Sequence, residues 1–274
     1  MEAARRRARR QRLLWRKRAY RMLNQATASE QQVVLILGCQ RSGTSMILSL
    51  FDEDLRAVTF PERSVLTLPD EDGLRLRPLP EVAGHVRRLP ASLVVLKPLV
   101  ESQRAPQLLS ALPNARAIWM YRGYGSVAAS NLAYFGRDNG VRDLRLLLSN
   151  DPPNWRGEVV PGAVREVIAG LYSPGMNPYD AAALFWFARN SLFFDLRLDE
   201  SADVLLCSYE ELVASPEREM TSIYEFLELD APQRPIGKRV HGRAVERGDD
   251  GLLSSEVRTL CAALHARLRS ARRS

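Results

Sequence analysis

Residues 33–51 read VVLILGCQRSGTSMILSLF, and this stretch decides the fold. Its first half is an unbroken apolar run that stops at Gly38. A run without alternation suits a strand buried on both faces, as in a parallel sheet. In the second half Met46, Ile47, Leu50 and Phe51 share one face of a helix. Between them lies Gly38-Cys39-Gln40-Arg41-Ser42-Gly43-Thr44-Ser45. The two glycines permit a turn that points backbone N–H groups inward at the start of the helix, where the helix dipole favours an anion. Thr44 and Ser45 add hydroxyl donors. The Walker pattern places a lysine directly after its second glycine. Here Thr44 stands at that position, and Arg41 brings the positive charge within the loop. No strand ends in an aspartate suited to magnesium, so ATP hydrolysis is disfavoured.

Outward from this loop, strands and helices alternate. RAVTF (56–60), SLVVLKP (92–98), ARAIWMYR (115–122) and DVLLCSYEEL (203–212) carry the further strands. Residues 61–91 are rich in proline and read as irregular, and 136–176 read as a helical insertion. The long segment after Asn177-Pro178 is a helix with an N-cap and a proline in its first turn. Residues 231–254 form a basic, loop-rich region before a last helix from about Ser255. The pattern predicts an α/β fold with a central parallel sheet covered on both faces. Residues 31–274 read as one domain preceded by a basic arm, 1–30.

In such a sheet ligands gather at the carboxyl ends of the strands. Lys97 follows one strand and Arg122 follows the next. Arg122 leads into Gly123-Tyr124-Gly125-Ser126 and a helix on which Ser126 and Ser130 share a face. This is a second anion site. Two anion sites on neighbouring strand ends suit a nucleotide with phosphates at both ends of its ribose.

The net charge of +7 is unevenly placed. Residues 1–21 hold ten Lys/Arg against Glu2 alone, so that segment carries +9 and the remainder −2. The body is therefore no basic nucleic-acid surface. The arm reads first as a flexible, solvated tail. Its second reading is a weak contact of residues 5–23 with an anionic membrane, because Leu13, Leu14, Trp15, Tyr20, Met22 and Leu23 interrupt the arginines. No apolar stretch is long enough to span a bilayer, and no signal-peptide pattern follows the basic start. The three cysteines and three histidines are scattered, which suggests a reducing, cytoplasmic setting and no metal site.

The three motifs GCQRSGTS, YRGYGSVAAS and SYEELVASPEREMTSIYEFLEL together resemble the sulfotransferases that use 3′-phosphoadenosine 5′-phosphosulfate (PAPS). The resemblance runs from about residue 33 to about residue 230. It implies a P-loop-type three-layer fold and a cytoplasmic enzyme that moves a sulfuryl group from PAPS to an acceptor hydroxyl, without a metal. The 5′-phosphosulfate loop would be Gly38 to Ser45, with Gln40, Arg41, Ser42, Gly43 and Thr44 between. Arg122 and Ser130 would hold the 3′-phosphate, and Tyr209 would lie near the nucleotide. Arg243 and Arg247 are candidates for a late nucleotide contact. Lys97 falls on the family's lysine that stabilises the transferring group. One departure is that the family's common Arg-Asp-Pro is Arg122-Gly123-Tyr124 here.

Some members of that family use a histidine two residues after the Lys97-type lysine as general base. Leu99 occupies that position, which closes the route. Others use a glutamate nineteen residues after the loop's second glycine, which here is Glu62. Glu101, also past a strand end, is the fallback. Trp155, Tyr172 and Tyr179 are candidates for an acceptor wall or for core. The acceptor itself, whether carbohydrate, lipid, peptide or small molecule, stays open. The rival readings are a P-loop kinase, which would need magnesium and ATP, and a non-catalytic nucleotide-binding protein on the same fold.

Overall fold

The computed structural model describes residues 2–24, 30–69, 73–149, 154–232, 236 and 250–272. The chain opens with α1 (Glu2–Leu23), β1 (Gln32–Gly38), α2 (Thr44–Phe51), β2 (Ala57–Phe60), α3 (Leu79–Arg87) and β3 (Leu93–Leu96). It continues through a 3₁₀ turn (Leu99–Arg104), α4 (Ala105–Ala111), β4 (Ala115–Tyr121), α5 (Tyr124–Phe135), α6 (Asn139–Leu148), α7 (Gly162–Leu171) and α8 (Pro178–Asp195). It ends with β5 (Val204–Ser208), α9 (Tyr209–Ala214), α10 (Pro216–Phe226) and α11 (Ser255–Ala271).

The five strands form one sheet in the order β2-β3-β1-β4-β5, and every pairing is parallel. Successive side chains of a strand point to opposite faces, and this separates two cores. Val33, Leu35 and Leu37 join Val94, Leu96, Ala117 and Trp119 on one face. Val34 and Ile36 join Leu93, Val95, Ile118 and Met120 on the other. The first face is covered by α3, α4, α5, α8 and α11, through residues such as Val86, Leu108, Val127, Trp186 and Leu264. The second is covered by α2, α9 and α10, through Ile47, Phe51, Leu212, Ile223 and Tyr224. The result is the three-layer α/β architecture of P-loop proteins.

The order of strands puts β1 in the middle, so the loop that leaves its carboxyl end is flanked by those of β3 and β4. α8 is apolar on nearly every side and lies within the first core. It carries α5 and α6 against the sheet layer and so frames the region beyond the strand ends.

Two segments differ from the sequence expectation. Residues 61–91, expected to be irregular, contain α3. Pro78 and Pro80 suggested a break, but Pro78 is the N-cap and Pro80 sits in the first turn, where the missing N–H costs little. Val82, Ala83 and Val86 then bury. In the arm, α1 has a contact with the body. Lys17 is buried, and its Nζ donates to Asp52 Oδ1 at 2.6 Å and to the Ala57 carbonyl at 3.1 Å. No helix among the described residues is long and apolar enough to cross a membrane. Arg243 and Arg247 lie outside the described residues.

Gly38 is the tightest point of the sheet. It sits opposite Met120 at φ 120°, and a Cβ there would lie 2.3 Å from the Met120 carbonyl oxygen. Gly38→Ala should therefore destabilise the protein by about 2–4 kcal/mol. Gly170→Ala, in α7 with open space around it, should be neutral or stabilising by about 0.5 kcal/mol. Urea midpoints measure both, and an unchanged midpoint for Gly38→Ala would contradict the tight crossing.

Candidate active site at the carboxyl ends of the strands

From Gly38 the chain turns sharply out of β1. The Gly38 N–H is held by Ser102 Oγ at 3.0 Å. Arg41 has φ 65°, and Gly43, the N-cap of α2, has φ 86°. A side chain at Gly43 would strike the Tyr209 ring, with its Cβ 2.4 Å from Cδ2. Tyr209, just past β5, thus packs directly on the loop. Ser42 is fully buried, and its hydroxyl has no partner among the described residues.

Arg41 donates from Nε to Ser130 Oγ at 3.1 Å, and its guanidinium lies 4.2 Å from the centre of the Tyr134 ring. Burial pushes Arg41 down from its ordinary range; the Tyr134 phenol opposes this, and nearby Arg122 adds to it. Arg122 follows β4, and its guanidinium stacks 4.3 Å over the Tyr209 ring. Its Nε is buried without a partner among the described residues. Two arginines that repel each other, with a buried donor left over, mark a place that favours an anion. The Gly123 turn, which lacks the family's aspartate, is held from elsewhere. Glu210 accepts from the Gly123 N–H at 3.0 Å and from Ser208 Oγ at 3.1 Å.

Lys97 leaves β3 with its backbone N–H bonded to Phe60 at the end of β2. Its Nζ donates to Ser45 Oγ at 3.0 Å and pairs with Glu62 Oε2 at 3.0 Å. The lysine joins the anion loop to the carboxylate expected to act as base. Glu62, Lys97 and Arg41 line one cavity of about 480 Å³, together with Gly38, Gln40, Thr44 and Ser45. Arg122, Ser130 and Tyr209 are not in that lining. They reach the loop through the Arg41–Ser130 bond and the Tyr209–Gly43 contact.

Glu101, the fallback base, is bound elsewhere. It is buried, accepts from the Leu76 N–H at 2.9 Å, and pairs with Arg75 at 2.9 Å and Arg104 at 3.2 Å. It does not line the cavity. Trp155 does, whereas Tyr172 and Tyr179 pack against the first core. Cys39 offers no thiolate, because burial pushes its thiol up to about 12.

Sequence reasoning missed Asp143, Arg156 and Arg189, which also line the cavity. Arg189 is the charge that interrupts the apolar run of α8, and that interruption was the available signal. Asp143 accepts from Arg156 Nε at 2.6 Å, Asn139 Nδ2 at 2.9 Å and Gln40 Nε2 at 3.3 Å. A larger cleft of about 740 Å³ lies between α10 and α11. Its Arg272 is paired with Glu211 and Glu219. Among the described residues no three His, Cys, Asp or Glu side chains gather as a metal would need.

No family model and no curated protein matches the chain. Solved structures do. The sulfotransferase domain from the curacin biosynthetic pathway aligns at 16% identity and a TM-score of 0.52, covering 86% of this chain and 98% of its own. The sulfotransferase from Alicyclobacillus acidocaldarius aligns at 17% and 0.48, covering 87% and 99%. The sulfotransferase domain of the Synechococcus PCC 7002 olefin synthase aligns at 17% and 0.48, covering 86% and 88%. At this identity the first likeness shows a shared fold.

If Arg122 meets a ribose 3′-phosphate, Arg122→Ala should weaken a nucleotide carrying 3′ and 5′ phosphates by about 10- to 100-fold. Affinity for the analogue without the 3′-phosphate should barely change. Calorimetric titration of both ligands separates the cases, and an equal loss for both would make Arg122 structural.

Proposed function

We propose that this chain is a PAPS-dependent sulfotransferase acting on an acceptor hydroxyl. The observation that carries the reading is Lys97, held between a hydroxyl of the anion loop and the Glu62 carboxylate within one cavity. A phosphate-binding loop, a cation and a base are thereby brought within reach of one transferred group.

The residues also fit the donor. The Ser42 hydroxyl and Arg122 Nε are buried donors without partners among the described residues, and phosphate oxygens would satisfy them. Gly38, Gln40, Arg41, Ser42, Gly43, Thr44 and Ser45 would hold the 5′ end. Arg122 and Ser130 would hold the 3′-phosphate, and the Tyr209 ring, packed on Gly43 and under Arg122, would border the nucleotide. When bound, PAPS supplies a sulfuryl group on a phosphate leaving group.

The protein's part is electrostatic and positional. Arg41 and Lys97 place two positive charges where negative charge builds on the oxygens around sulfur. Lys97 is nearly buried, with a side chain 9% exposed, whereas Glu62 is more open at 24%. The carboxylate is thus the more accessible member of the pair to an incoming alcohol. Glu62 takes the alcohol's proton as the oxygen attacks. Leu99 offers no base at the alternative position, and Glu101 is tied to two arginines outside the cavity.

Glu62→Gln keeps the size of the side chain but removes its basicity. Turnover of an alkyl alcohol with PAPS should fall by about 10²–10⁴-fold, with little change in nucleotide affinity. The loss should shrink for a nitrophenol, whose proton needs less help. Steady-state rates with the two acceptors test this, and near-normal turnover of the alkyl alcohol would remove Glu62 as base.

A further inference from the structure

The cavity beside Glu62 holds more positive charge than transfer requires. Its lining includes Arg63, Arg142, Arg156 and Arg189 besides Arg41 and Lys97, against only two carboxylates, Glu62 and Asp143. Both carboxylates are engaged, Glu62 by Lys97 and Asp143 by Arg156.

Arg189 is the unusual member. It is 2% exposed, and it forms no ion pair with an acid among the described residues. Its Nη1 donates to the amide oxygen of Gln103 at 3.1 Å and its Nη2 to the Leu99 carbonyl at 3.3 Å. Both partners are neutral. A buried cation with neutral partners is costly, and burial pushes its guanidinium down to about 10. Gln103 is itself fixed, since its amide nitrogen donates to Glu158 at 2.8 Å. Trp155 lies against both Arg156 and Arg189, 4.4 Å and 5.3 Å from their guanidinium carbons, and forms the wall between them. Arg142 is exposed at the mouth, with Nη2 bonded to Asn139 Oδ1 at 2.7 Å. Glu158 and Asp143 compensate Arg189 only through space, and an anion entering past Arg142 would give the guanidinium a direct charged partner.

We propose that the acceptor is an anionic alcohol, whose carboxylate or phosphate is bound by Arg189 and drawn in by Arg142 while its hydroxyl meets Glu62. This rests on the sulfotransferase reading for the reaction, though not for the binding. In the reaction the acceptor oxygen forms the new O–S bond. The S–O bond to the donor's phosphate breaks, its electron pair leaves with the nucleotide, and the alcohol's proton goes to Glu62. The anionic group takes no part in bond making; it fixes the acceptor so that its hydroxyl is held near the carboxylate.

Sorbitol, gluconate and sorbitol phosphate share a chain length and differ in charge, so they form the test set. Melting temperatures are measured with each, in the presence of saturating adenosine 3′,5′-bisphosphate to occupy the loop. Initial rates are measured with PAPS. At least one charged compound should bind about 10- to 100-fold more tightly than sorbitol, and kcat/KM should follow the same order. Preference for gluconate identifies a carboxylate partner, and preference for sorbitol phosphate identifies a phosphate. Arg142→Gln, at an exposed position that does not threaten folding, should reduce the charged-to-neutral ratio several-fold. Arg189→Lys should reduce it further if the protein folds. Sorbitol binding as well as both charged compounds, or a ratio unmoved by Arg142→Gln, overturns the proposal. Absence of any shift with the bisphosphate alone counts against the donor assignment instead, and leaves the comparison of the three acceptors valid.

Discussion

The site depends on how the chain leaves β1. Gly38 passes so close to Met120 of β4 that no side chain fits, and its backbone lies at φ 120°. A strand buried on both faces cannot end by drifting to the surface. It must turn at once, and the turn is made here by Gly38, Arg41 and Gly43, all at positive φ. That compression aims the loop toward the N-terminus of α2. It also brings the ends of β3, β4 and β5, with Lys97, Arg122 and Tyr209, against one short segment. The parallel sheet supplies the convergence, and the central place of β1 supplies the common point.

Positive charge then gathers around that point. The Walker lysine is absent, and the cations at the loop are Arg41 within it and Lys97 from the end of β3. Both are held by hydroxyls, Ser130 and Ser45, rather than by acids alone. A hydroxyl partner orients a cation without neutralising it, which keeps the field of Arg41 available to an anion, while Lys97 is also paired with Glu62. The acids that are present mostly organise backbone and walls. Glu210 fixes the Gly123 turn, Glu101 ties the 73–77 segment to the 3₁₀ turn after β3, and Asp143 anchors Arg156. Glu62 alone of these carboxylates is part-exposed in the cavity and paired with the lysine at the loop.

Much of this was legible in the sequence, because it depends on short-range order along the chain. Strand, glycine turn and helix lie within residues 33–51, and Lys97, Arg122 and Tyr209 each directly follow an apolar strand. What could not be read came from distant segments. The Gly123 turn is secured by Glu210, 87 residues away. Glu62 and Glu101 were alike by position after a strand end, and only packing shows that Arg75 and Arg104 claim Glu101. Arg189 was visible as a charge in an apolar helix, but its partners at Gln103 and Leu99 come from a separate turn. α3 was hidden by prolines whose place in the first helical turn makes them harmless.

A loop without the Walker lysine, with Arg122 as a second cation near Arg41, suits a nucleotide with a phosphate at each end of its ribose rather than a triphosphate. The most direct measurement is the melting temperature with adenosine 3′,5′-bisphosphate and, separately, with ATP and magnesium, at matched concentrations. A rise of several degrees is expected with the bisphosphate, as about 2.7 kcal/mol of linkage at 100 times Kd would give, and little change with ATP. Equal stabilisation by both, or stabilisation by ATP and magnesium alone, would contradict it.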